Sequence, residues 1–310
     1  MSITIPDHDM LVPDYITFSK REAQELFLHE LFGSNLTAAN HSMGILRDRA
    51  LILLKNDKYN DDFIKLTHKI WLTNVDNPSI PNDTTLSLLK EQYENLPILK
   101  HILWTNHTEF CEQYIARLSL SNVNIEIKNI NEFNTYRGWD VYLALVNQKL
   151  FATASDVARI MIICKYGGFY SDMGFALKPT ITRIVNQFDI AANGETGDPG
   201  IVSHNFFFSK RTNHVLFETI LNNLSNEDIR KKYYLRVNSI WGIIELFGPR
   251  MLTAAVASLC KDDNVLLVIN NCYTFDRYHN NSWFGKTKYG CRSIDSVNNK
   301  QLERDLSLRK

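Results

Sequence analysis

The amino-terminal part of the chain carries apolar residues at helical spacing. Ser19 stands before a run of helix-forming residues with Glu22 three positions on, which is the pattern of a capping box. Between Ala38 and Leu54 the apolar positions recur every three or four residues, and this spacing predicts a further helix. We expect residues 1–62 to form a helical extension whose role is packing or docking rather than catalysis.

Beyond this extension the pattern changes to strands that alternate with helices. β-Branched and aromatic runs bounded by turn residues predict the strands, and a period near 3.6 predicts the helices. The predicted strands are 63–72, 99–105, 123–130 and 168–175, and the predicted helices are 84–95 and 138–165, the latter with a loop near Phe151. Such alternation is typical of an α/β fold that binds ligands at the carboxyl ends of its strands. We expect residues 63–310 to form one Rossmann-like domain.

The residues best suited to chemistry are concentrated between 154 and 174. Asp156 and Arg159 are three residues apart, so on a helix they share a face. Their helix is otherwise apolar, and a charged pair on a mostly buried helix is unfavourable unless it lines a cleft. A functional pair is therefore favoured over a surface ion pair. Gly167 and Gly168 follow, and they allow the chain to turn from helix to strand because glycine adopts positive φ readily.

Two side chains at predicted strand ends extend this candidate site. Asp172 lies in an aromatic strand, where aspartate is disfavoured, and its oxygen atoms suit Mg²⁺ or Mn²⁺. Trp71 ends the first predicted strand, where an indole can stack on a flat base with about 1–3 kcal/mol. A core tryptophan is the structural alternative for Trp71, and the sequence leaves both open.

Two segments near the carboxyl terminus add weaker signals. The run from Tyr278 to Trp283 contains His279, Asn281 and Ser282, which are candidate metal or phosphate ligands, but a polar loop with a packed tryptophan explains it as well. The run 247–253 (FGPRMLT) predicts a tight turn into a helix, and it either holds a sugar hydroxyl or phosphate or serves only as a turn.

Composition and charge exclude several classes of protein. The 34 Lys and Arg residues equal the 34 Asp and Glu residues, so no overall field attracts nucleic acid. The five cysteines are odd in number and lack a CxxC pair, which argues against a disulfide framework or a structural zinc site. Reduced surroundings such as a cytosol fit this pattern.

No targeting segment is evident in the sequence. Residues Met1 to Asp9 hold acids and a proline rather than a basic and apolar leader, and no window approaches the ~20 apolar residues of a membrane helix. We expect no transmembrane segment, and a location that is either cytoplasmic or, by secretion without a cleaved signal peptide, inside a host cell.

Five signatures occur in a fixed order between residues 68 and 283. They are HKIWL at 68–72, SDVAR at 155–159, YGGFYSD at 166–172, FGPRMLT at 247–253, and HNNSW at 279–283. Together they resemble the DXD-containing retaining glycosyltransferases, whose corresponding patterns include HxIWxG, SDxxR, TGPxxLT and HxxxSW. That group includes initiating mannosyltransferases, capsular sugar transferases and, more distantly, the large clostridial glucosylating toxins. The resemblance implies a GT-A fold with a UDP- or GDP-sugar donor.

The resemblance also implies a role for each matching residue. Trp71 would stack on the base, while Asp156 and Arg159 would hold the donor sugar and its phosphates. The remaining implied contacts are those of Tyr170 beside the nucleotide, Asp172 on the ribose or the metal-bound water, Asn205 on the sugar, and Ser282 with Trp283 over the donor.

One position departs from the family pattern. Family members carry Asp-x-Asp, whereas this chain has Asp172-Met173-Gly174, and glycine cannot supply the second carboxylate. The implied Mn²⁺ or Mg²⁺ would then be held by Asp172, His279, Asn281 and Ser282, or be bound weakly, or be absent.

The expected function is that of a retaining glycosyltransferase, moving a sugar from a UDP-sugar, or a GDP-sugar, to a hydroxyl of a protein or glycan. A bacterial effector that modifies a host protein and a cytosolic polysaccharide-assembly enzyme both fit. The alternative is a pseudoenzyme or binding module of the same fold, because Gly174 replaces a metal ligand. A metal-dependent hydrolase is disfavoured, since the sequence has no HxxEH or HxD cluster.

Overall fold

A computed structural model describes residues 36–55, 62–118, 120, 123–194, 202–226, 248–269 and 275–277. The helices are α1 (Leu36–Lys55), α2 (Asp83–Asn95), α3 (Thr108–Arg117), α4 (Trp139–Asn147), α5 (Phe151–Tyr166), α6 (Pro179–Ile184), α7 (Val215–Ser225) and α8 (Pro249–Leu259). The strands are β1 (Leu66–Trp71), β2 (Lys100–Thr105), β3 (Ile125–Asn129), β4 (Gly168–Ser171), β5 (Phe175–Leu177), β6 (Ile190–Gly194), β7 (Val202–Ser209), β8 (Val265–Ile269) and β9 (Phe275–Arg277). Short 3₁₀ helices cover Ile130–Phe133 and Val185–Gln187.

Seven strands form a mixed central sheet with the order β3-β2-β1-β4-β7-β6-β8. Six of them run in one direction, because β1 pairs in parallel with β2 and β4, β2 with β3, and β6 with β8. Only β7 is antiparallel to its neighbours β4 and β6. The predicted α/β fold is therefore confirmed.

The strand order reverses between β1 and β4. From β1 the chain proceeds outward to β2 and β3, and it then returns through α4 and α5 to place β4 on the other side of β1. In open α/β sheets a crevice forms at the carboxyl ends of the strands where the order reverses, and ligands bind there. The end of β1 and the end of β4 are thus the expected ligand edge.

Helix α5 is buried on almost all sides. Nearly every residue from Thr153 to Cys164 is buried, as the apolar composition of this helix predicted. The helix ends at Gly167, and Gly167 and Gly168 have φ of 64° and 77°, which side chains other than glycine rarely adopt. A Cβ atom on Gly168 would lie 2.6 Å from the carbonyl oxygen of Leu66. The glycine pair is thus needed for the passage from α5 to β4.

Helix α1 packs on the sheet domain through its apolar face. Its Met43 and Leu46 are buried in the same apolar cluster as residues of α5 and α8. The Nη1 atom of Arg49 donates hydrogen bonds to the carbonyl oxygens of Lys261 and Asp263, at 2.9 and 3.0 Å. The predicted helix over residues 38–54 is confirmed, while the proposed boundary between residues 62 and 63 stays a prediction.

The prediction of one strand over 168–175 was wrong in detail. The segment forms two strands, since β4 belongs to the central sheet and β5 pairs with β9 in a separate two-stranded sheet. Between them the backbone N–H of Phe175 donates to the carbonyl of Asp172 at 3.0 Å, which closes a tight turn. Asp172 therefore lies in a turn beyond β4, which removes the conflict with its low strand propensity.

The opposite edge of the sheet carries a polar cluster of the buried His214 and Cys260 and the partly buried Asp263. The Nδ1 atom of His214 accepts the backbone N–H of Leu216 at 3.2 Å, so Nε2 carries the proton in the neutral ring. This Nε2 atom lies 3.2 Å from a carboxylate oxygen of Asp263. A ring nitrogen that carries a proton cannot bind a metal, so we interpret the cluster as structural.

Several predicted elements cannot be compared with the structure. The helix around 19–35 and the segment 278–283 lie outside the described residues. The turn into a helix predicted at 247–253 is confirmed from Gly248, which caps α8. Among the helices that the structure describes, none is both long and apolar enough to cross a membrane.

Two buried imidazoles in the central strands should decrease the free energy of unfolding at acid pH. Burial lowers the pKa of His68 to about 3 and that of His101 to about 4. Both rings are neutral because burial outweighs the hydrogen bonds that Nε2 of each donates to a backbone carbonyl, of Gly167 and Leu96 respectively, which act to raise the pKa. Below a pH of about 6.5 the unfolded chain binds protons that the folded chain excludes, so stability is lost as the pH falls.

We therefore predict that the free energy of unfolding decreases by about 2 kcal/mol for each of these imidazoles between pH 7.5 and pH 5. The variant His68→Gln removes one titrating ring and should decrease the slope accordingly. Chemical denaturation at a series of pH values measures both slopes. Equal slopes for the variant and the parent protein would contradict this account of His68.

Candidate active site

The candidate site lies where β1 and β4 end side by side. Trp71 is the last residue of β1, and Asp172 directly follows the last residue of β4. Helix α5 crosses beneath this edge and supplies Asp156 and Arg159 from adjacent turns. The structure thus brings together three predicted site residues, Asp156, Arg159 and Asp172, at the edge where the strand order reverses.

The guanidinium of Arg159 lies between the two carboxylates. Its Nη2 atom is 2.8 Å from Oδ1 of Asp156 and 3.2 Å from Oδ1 of Asp172. The side chain of Asp156 is fully buried and that of Arg159 is 5% exposed, whereas that of Asp172 is 36% exposed. The pair on α5 is therefore internal, and Asp172 is the member that faces solvent.

Backbone groups complete the surroundings of Arg159. Its Nη1 atom donates to the carbonyl of His204 at 2.6 Å, and its Nε atom donates to the carbonyl of Ser155 at 3.2 Å. A guanidinium has five N–H groups, and these contacts leave one N–H of Nη1 without a partner among the described residues. Burial alone would lower the pKa of Arg159, but the carboxylates of Asp172 and Asp156 outweigh it and raise the pKa above its ordinary value. Arg159 is thus a permanent cation.

Tyr170 connects the same groups from β4. Its hydroxyl donates to Oδ1 of Asp172 at 2.7 Å, and its ring centroid lies 4.9 Å from the guanidinium carbon of Arg159. Burial raises the pKa of Tyr170 well above its usual value, so the hydroxyl stays protonated and donates. A cation over an aromatic face is an attractive arrangement. Tyr170 therefore fixes the orientation of Asp172 relative to Arg159.

His204 is a site residue that sequence reasoning missed. Its Nε2 atom lies 2.9 Å from Oδ1 of Asp156. The pairing of β6 with β7 is irregular between Ala192 and Asn193, and the register skips over residues 204–206. Bulges of this kind re-aim side chains near active sites. The sequence contains no pattern that predicts a bulge at this position. The one sequence feature that indicated a site residue was a histidine inside an apolar strand.

Asn205 lies beside this centre but is held by other groups. Its Oδ1 atom accepts a hydrogen bond from Nδ2 of Asn193 at 3.0 Å. Its carbonyl accepts the backbone N–H of Asp172 at 2.9 Å, so β7 supports the turn through its main chain. The predicted contact of Asn205 with a sugar stays a prediction.

Trp71 has a fixed indole next to the site. Its Nε1 atom donates to the carbonyl of Ser79 at 2.8 Å, and the half-buried ring packs on the apolar cluster that includes Met173 of the turn. Stacking on a base stays a prediction for this ring. His279, Asn281, Ser282 and Trp283 lie outside the described residues.

A divalent cation finds only part of a site among the described residues. Mg²⁺ and Mn²⁺ prefer several oxygen ligands. Asp172 supplies one exposed carboxylate, Asp156 is fully buried beside Arg159, and Gly174 has no side chain. The residues that the structure describes therefore do not form a complete metal site, and we derive no catalytic step from a metal.

Part of the chain matches a known family model. Residues 81–191, about a third of the chain, match the family model described as a glycosyltransferase sugar-binding region containing a DXD motif. The matched region begins just before α2, includes α5 and β4, and contains Asp156, Arg159 and Asp172. The chain thus carries a segment similar to this glycosyltransferase region, and the segment lies in the α/β domain.

Two solved structures of glycosyltransferases are similar to the chain. The PaToxG glycosyltransferase has a TM-score of 0.49 at 15% identity, over 71% of this chain and 77% of that one. The UDP-bound glycosyltransferase domain of the YGT toxin has a TM-score of 0.48 at 10% identity, over 73% and 83%. No curated protein sequence matches the chain.

The contact of His204 with Asp156 predicts a difference between two substitutions. The amide nitrogen of a glutamine can take the place of Nε2, whereas that of an asparagine reaches only as far as Nδ1. We expect His204→Asn to be less stable than His204→Gln by about 1–3 kcal/mol, because the buried carboxylate loses a partner. Denaturant unfolding of both variants measures the difference. Equal stabilities would contradict a role for Nε2.

Proposed function

We propose that this protein is a retaining glycosyltransferase that takes a sugar from a nucleotide-sugar donor, a UDP-sugar in preference to a GDP-sugar. The acceptor is a hydroxyl group of a protein or a glycan. The observation that carries the proposal is the buried cation of Arg159, held between Asp156 and Asp172 at the reversal point of the sheet. Nucleotide ligands of open α/β sheets bind at this edge.

The charge distribution suits the departure of a nucleoside diphosphate. Negative charge develops on the leaving diphosphate while the sugar becomes oxocarbenium-like. A fixed cation in a site of low dielectric stabilises such charge without reorganising during the reaction. Arg159 supplies this cation, and the N–H of Nη1 that no described residue accepts is available to a donor oxygen.

The exposed carboxylate of Asp172 is the group best placed to meet the donor. Its Oδ1 atom is occupied by Tyr170 and Arg159, so its orientation is set before any ligand arrives. We assign to Asp172 a contact with the ribose or with the water shell of a bound metal. We assign Asp172, His279 and Asn281 as the ligands of Mn²⁺ or Mg²⁺. Trp71 and Tyr170 are assigned to the nucleotide, Asn205 to the sugar, and Ser282 with Trp283 to the closure over the donor.

The transfer proceeds on one face of the sugar. The acceptor oxygen forms a bond to the anomeric carbon as the bond to the diphosphate breaks, and the hydroxyl proton passes to the leaving phosphate. Asp156 is not assigned as a nucleophile, since its fully buried carboxylate faces Arg159 and His204. Attack from the face that the diphosphate leaves would retain the configuration at the anomeric carbon.

The acceptor is proposed by class only. A bacterial effector that modifies a hydroxyl of a host protein and a cytosolic enzyme of glycan assembly use the same donor chemistry. Transfer of radiolabelled sugar to a host-cell lysate, compared with transfer to oligosaccharides, separates the two.

A second candidate is a pseudoenzyme that binds a nucleotide-sugar without transfer. Gly174 favours it, because it removes a carboxylate that the DXD pattern supplies. Calorimetry with UDP-glucose, UDP-GlcNAc and GDP-mannose, with and without Mn²⁺, combined with an assay of donor hydrolysis, distinguishes the two candidates. Binding without any hydrolysis or transfer would favour the second.

Arg159→Lys and Asp172→Asn should each decrease donor hydrolysis about a hundredfold or more. Lysine keeps the charge but cannot reach both carboxylates with a planar fork, and asparagine removes the exposed charge. Both variants are milder than alanine, which would leave Asp156 buried without its cation.

The matched control for this experiment is Arg137→Lys. Arg137 pairs with Glu218 on the surface, at 3.2 Å, and lies outside the site. Its variant should hydrolyse the donor like the parent protein. Full activity of Arg159→Lys or Asp172→Asn, with intact folding by circular dichroism, would contradict the assignment.

A further inference from the structure

A buried lysine lies directly beneath the turn that carries Asp172. Lys69 belongs to β1, its side chain is 1% exposed, and it is among the largest fully buried side chains of the described chain. Lysine is rarely buried unless its ammonium is paired, because removing a cation from water is unfavourable. Its presence here therefore requires a compensating set of contacts.

The ammonium of Lys69 makes three hydrogen bonds. Its Nζ atom donates to Oγ of Ser171 at 2.9 Å, to the carbonyl of Asp172 at 2.9 Å and to the carbonyl of Phe175 at 2.6 Å. An ammonium has three N–H donors, so all of them are used. The three acceptors are the end of β4, the turn, and the start of β5. One side chain therefore holds both ends of the turn.

A second buried side chain supports the same segment. The Oε1 atom of Gln92, from α2, accepts the hydroxyl of Ser171 at 3.3 Å and the backbone N–H of Leu177 at 3.1 Å. Lys69 supplies only hydrogen-bond donors to the segment, whereas Oε1 of Gln92 supplies a hydrogen-bond acceptor. Polar groups that would otherwise be buried without partners are thus satisfied on both sides of the turn.

The position of Asp172 depends on this support. Its side chain reaches Arg159 and Tyr170, while its main chain is bound by Lys69 from below and by Asn205 from β7. The segment Asp172-Met173-Gly174 has no second carboxylate and a glycine that adds no packing. Its geometry has to be imposed by neighbouring elements, and Lys69 binds the carbonyl of Asp172 together with the two flanking residues, Ser171 and Phe175.

We propose that Lys69 is a positioning residue that holds the Asp172 turn in the orientation required for nucleoside diphosphate binding. The inference rests on the proposed function for its consequence on binding, but not for the contacts themselves. Burial lowers the pKa of Lys69 to about 7 while the charge of Asp172 opposes this change. A lysine that is retained at such a desolvation penalty is consistent with a specific task.

The test compares Lys69→Met, Asp172→Asn and the double variant. Methionine has a similar length and no donors, so it removes the three hydrogen bonds with little change in volume. The dissociation constants of UDP and GDP are measured by calorimetry on each folded protein. We expect each single variant to weaken binding at least tenfold and the double variant to bind no more weakly than the weaker single variant, since Lys69 acts through Asp172.

Independent effects would overturn the proposal. If the losses of the two single variants multiply in the double variant, or if Lys69→Met binds as the parent protein does, Lys69 does not act through Asp172. The control is Asp263→Asn, which disrupts the polar cluster at the opposite edge of the sheet and should leave nucleotide affinity unchanged. Loss of affinity in this control would mean that reduced stability alone explains the result.

A second measurement keeps the proposal separate from the proposed function. Hydrogen exchange of the amides of residues 171–175 should become at least tenfold faster in Lys69→Met and remain unchanged in Asp263→Asn. If exchange is faster in Lys69→Met but the parent protein binds no nucleotide, the proposed function is refuted. The conclusion that Lys69 supports the turn would still hold. Unchanged exchange would refute the support itself. If Lys69→Met does not fold, Ser171→Ala removes one acceptor and should show a smaller change in the same direction.

Discussion

The arrangement of the site depends on one buried cation. Arg159 is almost inaccessible to solvent, yet it neutralises a fully buried carboxylate and reaches a second one at the surface. Charges removed from water are tolerated only when they are paired and hydrogen-bonded. Helix α5 can therefore be apolar on its other sides and still carry Asp156 through the core. Every neighbouring element, β4, β7 and the turn, is positioned by contacts with this guanidinium or with Asp172.

The mixed sheet explains why these elements meet. β4 lies between β1 and the antiparallel β7, so its end is approached by main-chain and side-chain groups from both neighbours. Lys69 comes from β1, and the carbonyls of His204 and Asn205 come from β7. An edge strand would have only one such neighbour. The central place of β4 is thus what allows a short turn without a second acid to be held rigidly.

Local sequence signals predicted part of this arrangement. The spacing of Asp156 and Arg159 and the positive φ of the glycine pair are properties of neighbouring residues, and a single sequence shows them. Lys69 and His204 were missed as parts of the site because their contacts join residues distant along the chain, 102 positions apart for Lys69 and Ser171. Strand pairing and the bulge in β7 decide these contacts, and hydrophobic patterning does not encode them. The same non-local pairing divided the predicted strand at 168–175 between two sheets.

The absence of a carboxylate at Gly174 affects the net charge of the site. Asp156 and Arg159 cancel each other, and below a pH of about 7 the charge of Asp172 is offset by that of Lys69. A second carboxylate in the turn would make this centre negative and would repel a diphosphate unless a cation were bound. Without it the centre is neutral below a pH of about 7, so an anionic group meets less repulsion at this position. The absence of a second acid and the presence of a buried lysine beneath the turn therefore act in the same direction, because both make the centre around Asp172 less negative.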